Sequence, residues 1–344
     1  MRLPVRAPVG AGCRAQTGCR EGCRVRCAAA VSMLSFLLPD WRRIVGSKNG
    51  KVATLGFIGV GAMGSRMIRN VSAIVDQMIV YDTDSKRAGE AAAAVSGRAV
   101  TDISEMAGAD VVVLMLPTSA IIDKLVRGDG GKGLLDILSS GALVIDMSSS
   151  EPTSTVANAE LAAGKGIAYI DAPVSGGIGG AESGKLAIMA GGSDADFERA
   201  RPVLETMGAK VVHVGKTGAG HAMKALNNLL AATTLVATGE VFAVGRKFGL
   251  DPQVMLEVID ASSGSSFQTK AVWKHVLQKT FDFGFTAQLM EKDVRVAMSL
   301  IDSLGADTVL ARQAAEVWAK GLAAAPAGAD MTVLADQIDR RINS

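Results

Sequence analysis

The run Val52-Ala53-Thr54-Leu55-Gly56-Phe57-Ile58, followed at once by Gly59-Val60-Gly61-Ala62-Met63-Gly64, decides the fold. Its first seven residues are almost wholly apolar and of strand length, and Met63, Met67, Ile68 and Val71 then recur on one side of a helix. A strand, G-x-G-x-x-G and a helix in that order form a dinucleotide-binding turn. Gly59 permits the tight turn, Gly61 lets a pyrophosphate approach the backbone, and Gly64 lets the helix pack on the strand. The helix N-terminus, with Ala62 and Met63 in the turn, faces the phosphates.

Working outward, Met78–Tyr81 reads as the next strand and ends at Asp82. An acid about 20 residues past the glycines accepts hydrogen bonds from the adenosine ribose and repels a 2′-phosphate, so NAD is expected over NADP, although Arg87 lies in the same region. Val111–Leu116 and Leu143–Asp146 read as buried parallel strands, leaving through Pro117-Thr118-Ser119 and Met147-Ser148-Ser149-Ser150. Ligands bind beyond the carboxyl ends of such strands, which places Leu116, Pro117 and Ser149 along the nicotinamide half of a groove. The turn Ser175-Gly176-Gly177 is rich in backbone N–H and poor in side chains, a cradle for a small carboxylate. Two further strands, Leu186–Ala190 and Lys210–Val214, flank a helix at Asp194–Met207.

From Thr217 the strand signals fade. Ala219–Phe248 reads as one long helix interrupted by Gly239 and Gly245, followed by helices at Pro252–Ile259, Lys270–Leu277, Thr286–Ser303 and Ala306–Ala324, with a loop at Ser262–Phe267. Lys224 and Asn228 share one face of the long helix. Lys292 and Asp293 fall in a helix expected to bury Leu289, Val296 and Leu300. A lysine serves as a base near neutral pH when burial and a neighbouring cation weaken its hold on the proton, and Lys292 is the candidate cation for Lys224. His221 is a rival base, whereas His213 and His275 read as structural.

A net charge of +2, without a long basic stripe beyond the first fifty residues, argues against nucleic acid. No window offers the roughly 18 uninterrupted apolar residues of a membrane span, and the chain reads as soluble and globular. All four cysteines lie in the first thirty residues in no zinc-like spacing, so no metal is expected. Residues 1–50 are arginine-rich and acid-poor, as in a mitochondrial transit peptide directing the chain to the matrix. The alternative is a misassigned start, with Met33 opening a shorter leader or the protein remaining cytoplasmic.

Four blocks, GFIGVGAMGSRM (56–67), DAPVSGG (171–177), GAGHAMKALNN (218–228) and LMEKDVRVA (289–297), resemble the β-hydroxyacid dehydrogenase family over roughly residues 53–335. The resemblance implies an α/β fold. A Rossmann-like NAD-binding domain with a mostly parallel sheet (51–215) is joined by a long helix to an all-α C-terminal domain (216–344), with the active site between them. It implies Lys224 as general acid/base, Asn228 holding lysine and substrate, Ser175, Gly176 and Gly177 binding the carboxylate, and Lys292 near cofactor and substrate. Ile121 and Ser149 depart from the asparagine and threonine usual in the family. The expected reaction is NAD-dependent oxidation of a small β-hydroxyacid, foremost 3-hydroxyisobutyrate to methylmalonate semialdehyde in valine breakdown, by a homodimer or homotetramer. The alternatives are a reductase of tartronate, glyoxylate or succinate semialdehyde using NAD(P)H, and a non-catalytic nucleotide-binding module.

Overall fold

In the computed structural model, which describes residues 51–344, the deciding segment forms β1 (Val52–Ile58) and α1 (Gly64–Val71). The leader expected in residues 1–50 lies outside the described residues. The chain continues through β2 (Val75–Tyr81), α2 (Ser85–Ala94), β3 (Arg98–Val100), β4 (Val111–Leu114), α3 (Ser119–Arg127), α4 (Leu134–Ile137), β5 (Leu143–Asp146) and α5 (Pro152–Ala163). Next come β6 (Ala168–Asp171), β7 (Val174–Ser175), α6 (Gly177–Ser183), β8 (Leu186–Gly191), α7 (Asp194–Met207) and β9 (Gly208–Gly215). Helices follow: α8 (Ala219–Phe248), α9 (Pro252–Asp260), α10 (Trp273–Leu277), α11 (Ala287–Ser303), α12 (Val309–Ala324) and α13 (Val333–Asn343).

The sheet runs β3-β2-β1-β4-β5-β6-β8-β7, with β9 paired to β8. Pairings from β3 to β6 are all parallel, whereas β6 and β7 meet β8 antiparallel. Parallel strands are buried on both faces, and their side chains alternate between two cores. Leu55, Phe57, Val111, Val113, Leu143 and Ile145 pack with α1, α2 and α7. Ile58, Val112, Leu114 and Val144 pack with α3, α4 and α5. Strand order reverses at β1, which lies between β2 and β4, so the ligand crevice opens above β1 and β4.

The long helix runs unbroken through both glycines expected to interrupt it. A Cβ on Gly239 would stand 3.1 Å from Ile338 Cδ1, and one on Gly245 would stand 2.3 Å from Met255 Cε. These are points of close approach by α13 and α9 rather than breaks. By length and composition α8 is long and apolar enough to cross a membrane, contrary to the sequence reading, but half of that window is buried inside the protein. Its exposed side carries Leu230, Val241, Val244 and Phe248.

Three further elements depart from the sequence reading. The helix expected from Lys270 begins as a π-helical turn at Gln268–Val272, anchored where Gln268 Nε2 donates to Ala231 O of α8 at 2.9 Å. In α11 the buried stripe is Met290, Val294, Ala297 and Ile301, at helical spacing, with Val296 beside it. Leu289, expected inside, is exposed because it lies off that stripe, and Leu300 is only half-buried. The tail forms α13, whose Leu334 and Ile338 close the helical core.

The sharpest steric demand lies where α8 leaves the sheet. A Cβ on Gly220 would stand 2.3 Å from Met189 O and 2.8 Å from Asp171 Oδ2. Gly220→Ala is expected to lower stability by about 1–3 kcal/mol, the usual penalty of overpacking. Urea unfolding would check this, and an unchanged midpoint would contradict the packing described.

Candidate active site

The glycine-rich turn takes the shape its spacing demands. Gly59 has φ +93°, and a Cβ there would stand 2.3 Å from Met115 O on the neighbouring strand exit. A Cβ on Gly64 would stand 2.0 Å from Gly59 O, so only glycine lets α1 start this close to the strand. Gly61 meets nothing within 4 Å, which leaves open space against its backbone and the first turn of α1. Asp82 follows β2, and its Oδ2 accepts the Val60 N–H and Oδ1 the Asp84 N–H, each at 2.9 Å. This ties the second strand to the turn and leaves carboxylate lone pairs for a ribose. Arg87 stands 3.7 Å from Asp82 Oδ1. Glycines 59, 61 and 64 with Asp82 fit a dinucleotide: a cradle without side chains, helix N–H groups for phosphates and an acid for hydroxyls.

Leu116, Pro117, Ser149 and Lys292 meet at the next exits. The Leu116 N–H donates to Ser148 Oγ at 2.9 Å. Lys292, reaching over from α11, donates to the carbonyls of Ser149 at 3.2 Å and Pro117 at 3.4 Å. Ile121 carries an exposed side chain, and its N–H is held by the Thr118 cap.

On α8, Asn228 is buried and donates to Asp293 Oδ2 at 2.5 Å. Asp293 is buried too, and its Oδ1 lies 3.2 Å from Lys292 Nζ. The half-buried Lys224 amine makes no hydrogen bond or ion pair to another described residue. Burial pushes its pKa below the ordinary 10.5; the negative charge of Asp293 opposes this and the positive charge of Lys292 adds to it. Both the burial and the cation foreseen for Lys224 are present.

Four residues before the Ser175–Gly177 turn stands a residue that sequence reasoning missed. Asp171, fully buried at the end of β6, accepts the N–H of Gly218 through Oδ1 and of His221 through Oδ2, both at 2.7 Å. It caps α8, whose own N-cap, Gly218, has no side chain. The legible signal was that lack of a capping residue before a 30-residue helix. Asn70 was missed as well; its Nδ2 donates to Ala181 O at 2.7 Å and ties α6 to α1. Gly176 (φ +131°) and Gly177 (φ +60°) sit at the start of α6, with open space where a Cβ would stand on Gly177. The side chains of this turn make no hydrogen bond to Lys224 or Asn228.

The rival base His221 is closed off by its own hydrogen bonds. Both ring nitrogens of the enclosed His221 are occupied, by Thr155 Oγ1 at 2.7 Å and Ser148 O at 3.1 Å. His213 stacks on Phe197 and binds Gly192 O, and His275 pairs with Asp282.

Residues 54–215 match a family model described as the NAD binding domain of 6-phosphogluconate dehydrogenase. Residues 218–338 match one described as NAD-binding of NADP-dependent 3-hydroxyisobutyrate dehydrogenase. The chain is 40% identical to the 2-(hydroxymethyl)glutarate dehydrogenase of Eubacterium barkeri, over 72% of this chain and 82% of that one. The chain belongs to the β-hydroxyacid dehydrogenase family. Another relative, the 3-hydroxyisobutyrate dehydrogenase of Pseudomonas aeruginosa, is 36% identical over 74% of this chain and 88% of its own. A solved structure of the Mycobacterium tuberculosis 3-hydroxyisobutyrate dehydrogenase with L-serine superposes with a TM-score of 0.77 at 33% identity, covering 83% of this chain and 99% of that one. As a β-hydroxyacid dehydrogenase this chain is an NAD-linked oxidoreductase, and the mostly parallel, Rossmann-like sheet followed by helices is the fold expected.

The depressed pKa of Lys224 has a consequence for stability. The unfolded chain binds this proton normally, whereas the folded one holds it weakly. The resulting penalty is complete below the folded pKa and fades as pH rises towards 10.5. Lys224→Met is therefore expected to raise Tm at neutral pH, by a margin that shrinks in alkaline buffer. A lower Tm at pH 7 in calorimetry would contradict a buried, strained charge.

Proposed function

We propose that this protein oxidises 3-hydroxyisobutyrate to methylmalonate semialdehyde, with Lys224 as general base. The observation that carries the reading is the Lys224 amine itself, half-buried, unpaired among the described residues, and weakened in its hold on a proton by burial and Lys292. In the oxidation direction the neutral amine takes the proton from the substrate hydroxyl. The turn Gly59–Gly64 with Ala62 and Met63, Asp82 and the exits at Leu116, Pro117 and Ser149 would hold NAD, which would supply the hydride acceptor. Lys292 spans those exits and the helical core, keeping the cleft edges in place and its charge near Lys224. Asn228, oriented by Asp293, aligns the hydroxyl, and the backbone of Ser175, Gly176 and Gly177 receives the carboxylate. An anchored carboxylate fixes which carbon faces the cofactor, which is where orientation lowers the barrier.

The relative named for 2-(hydroxymethyl)glutarate favours a second substrate, since that compound carries the same hydroxymethyl group next to a carboxylate-bearing carbon. A panel of 3-hydroxyisobutyrate, 2-(hydroxymethyl)glutarate, L-serine and the semialdehydes, with NAD(H) and NADP(H), separates these readings. The highest kcat/KM is expected for 3-hydroxyisobutyrate with NAD, and Lys224→Ala should lower kcat by about 10²–10⁴-fold, the usual worth of a positioned base. Absence of NAD reduction with every hydroxyacid would remove the enzyme reading in favour of a binding module.

Asp293 holds the Lys224 proton on and Lys292 pushes it off. The rising limb of kcat/KM against pH is therefore expected at lower pH in Asp293→Asn and at higher pH in Lys292→Gln. Shifts in the opposite senses would refute Lys224 as the titrating base. The exposed stripe on α8 that includes Leu230, Val244 and Phe248 supports self-association as a homodimer or homotetramer. Light scattering is expected to give a multiple of the 35.4 kDa chain mass, and a monomer would refute it.

A further inference from the structure

His221 lies one turn before Lys224 on α8, and its imidazole is enclosed. Nε2 is 3.1 Å from the carbonyl of Ser148; a carbonyl only accepts, so Nε2 carries a proton. Nδ1 is 2.7 Å from Thr155 Oγ1 on α5, which also lies 3.0 Å from Glu151 O. The His221 backbone N–H is held by Asp171 at the end of β6. One residue thus grips α5, the β5 exit and the β6 end together.

Ser148 is the other centre of this network. Its N–H donates to Asp146 Oδ1 at 3.1 Å, and its Oγ accepts the Leu116 N–H at 2.9 Å. The carbonyl of the next residue, Ser149, accepts from Lys292 at 3.2 Å. An unbroken line of contacts therefore runs from the imidazole to both cofactor-side exits and on to Lys292. Every polar atom along it is buried or half-buried, where a hydrogen bond is worth most and its loss is most disruptive.

We propose that His221 is a positioning residue, whose Nε2–H on the Ser148 carbonyl holds the Leu116–Pro117 and Ser148–Ser149 exits, and Lys292 with them, in fixed register with Lys224. The proposal rests on the reading of Lys224 as the base. An enclosed ring with both nitrogens engaged takes no proton from substrate. It fixes the distance between the helix that carries the base and the edge where the nicotinamide binds. Loosening it moves Lys292 away as well, and Lys224 then holds its proton more tightly.

The experiment compares pH profiles of kcat and KM for wild type, His221→Asn, His221→Gln and Thr155→Val, using NAD and a hydroxyacid the wild type turns over. Asparagine keeps a polar atom near Thr155 but does not reach Ser148, whereas glutamine does. In His221→Asn, kcat is expected to fall about 10–100-fold, as for a small misplacement of reacting groups, with the KM for hydroxyacid little changed. The rising limb should move to higher pH. His221→Gln should recover most of both effects, and Thr155→Val, isosteric and still folded, should show a smaller shift of the limb in the same direction. A folded His221→Asn with wild-type kcat and limb overturns the proposal, as does an equal loss in Asn and Gln variants with the limb unmoved. Should His221→Asn fail to fold, an unmoved limb in Thr155→Val overturns it. A wild type that oxidises no hydroxyacid with NAD overturns the reading of Lys224 and the role of His221 together. An active wild type with unaffected variants overturns the role of His221 alone.

Discussion

The carboxylate of Asp171 on the first turn of α8 is the interaction on which the arrangement depends. A helix of 30 residues starts at Gly218, which has no side chain to cap it. Its N–H groups and the positive end of its dipole are buried where water cannot satisfy them. Asp171 supplies both oxygens, and Gly191 and Gly220 leave room for it: a Cβ on either would stand 2.6 or 2.8 Å from those oxygens. Burial pushes the Asp171 pKa up, while His221 and the two backbone N–H groups pull it back, so the site keeps the acid in place only while those partners are present. Asp171 lies four residues before the Ser175 turn, and the His221 it binds lies three before Lys224. One buried contact therefore sets the proposed carboxylate cradle against the helix of the proposed base.

Around Lys224 the charges are balanced rather than merely gathered. Burial favours the neutral amine, Asp293 resists this, and Lys292 tips it back. Asp293 can sit in the core because Asn228 and Lys292 both approach its oxygens, the condition on which a buried carboxylate is tolerated. Lys292 in turn spends its other bonds on the carbonyls of Pro117 and Ser149, so the electrostatic setting of the amine and the position of the cofactor edge depend on the same side chain.

What could be read from the sequence follows the range of the interaction. Gly59, Gly61, Gly64 and Asp82 fall within one strand-helix-strand unit, where spacing fixes geometry. The helix Ala219–Phe248 and the strands at 111 and 143 were legible because apolar period and length leave few options. Leu289 was misjudged because, within a helix dense in apolar residues, the angle of the buried stripe depends on where α8 and α12 lie. Gly239 and Gly245 looked like interruptions because only α13 and α9 show what presses against them. The π-helical start at Gln268 depends on a carbonyl of Ala231, 37 residues earlier.

The sequence by itself determined the fold class, the glycine-rich turn with its acid, and the pairing of Lys224 with Asn228 on one helical face, since each follows from local backbone geometry and periodicity. Only the tertiary structure decided that the Lys224 amine is left unpaired among the described residues, under the opposing charges of Asp293 and Lys292, that Asp171 caps the helix carrying it, and that His221 is bound on both nitrogens. These are properties of burial and of distance between residues far apart in the chain. Solvent exclusion and charge separation exist only once the strands, the long helix and α11 have closed on one another.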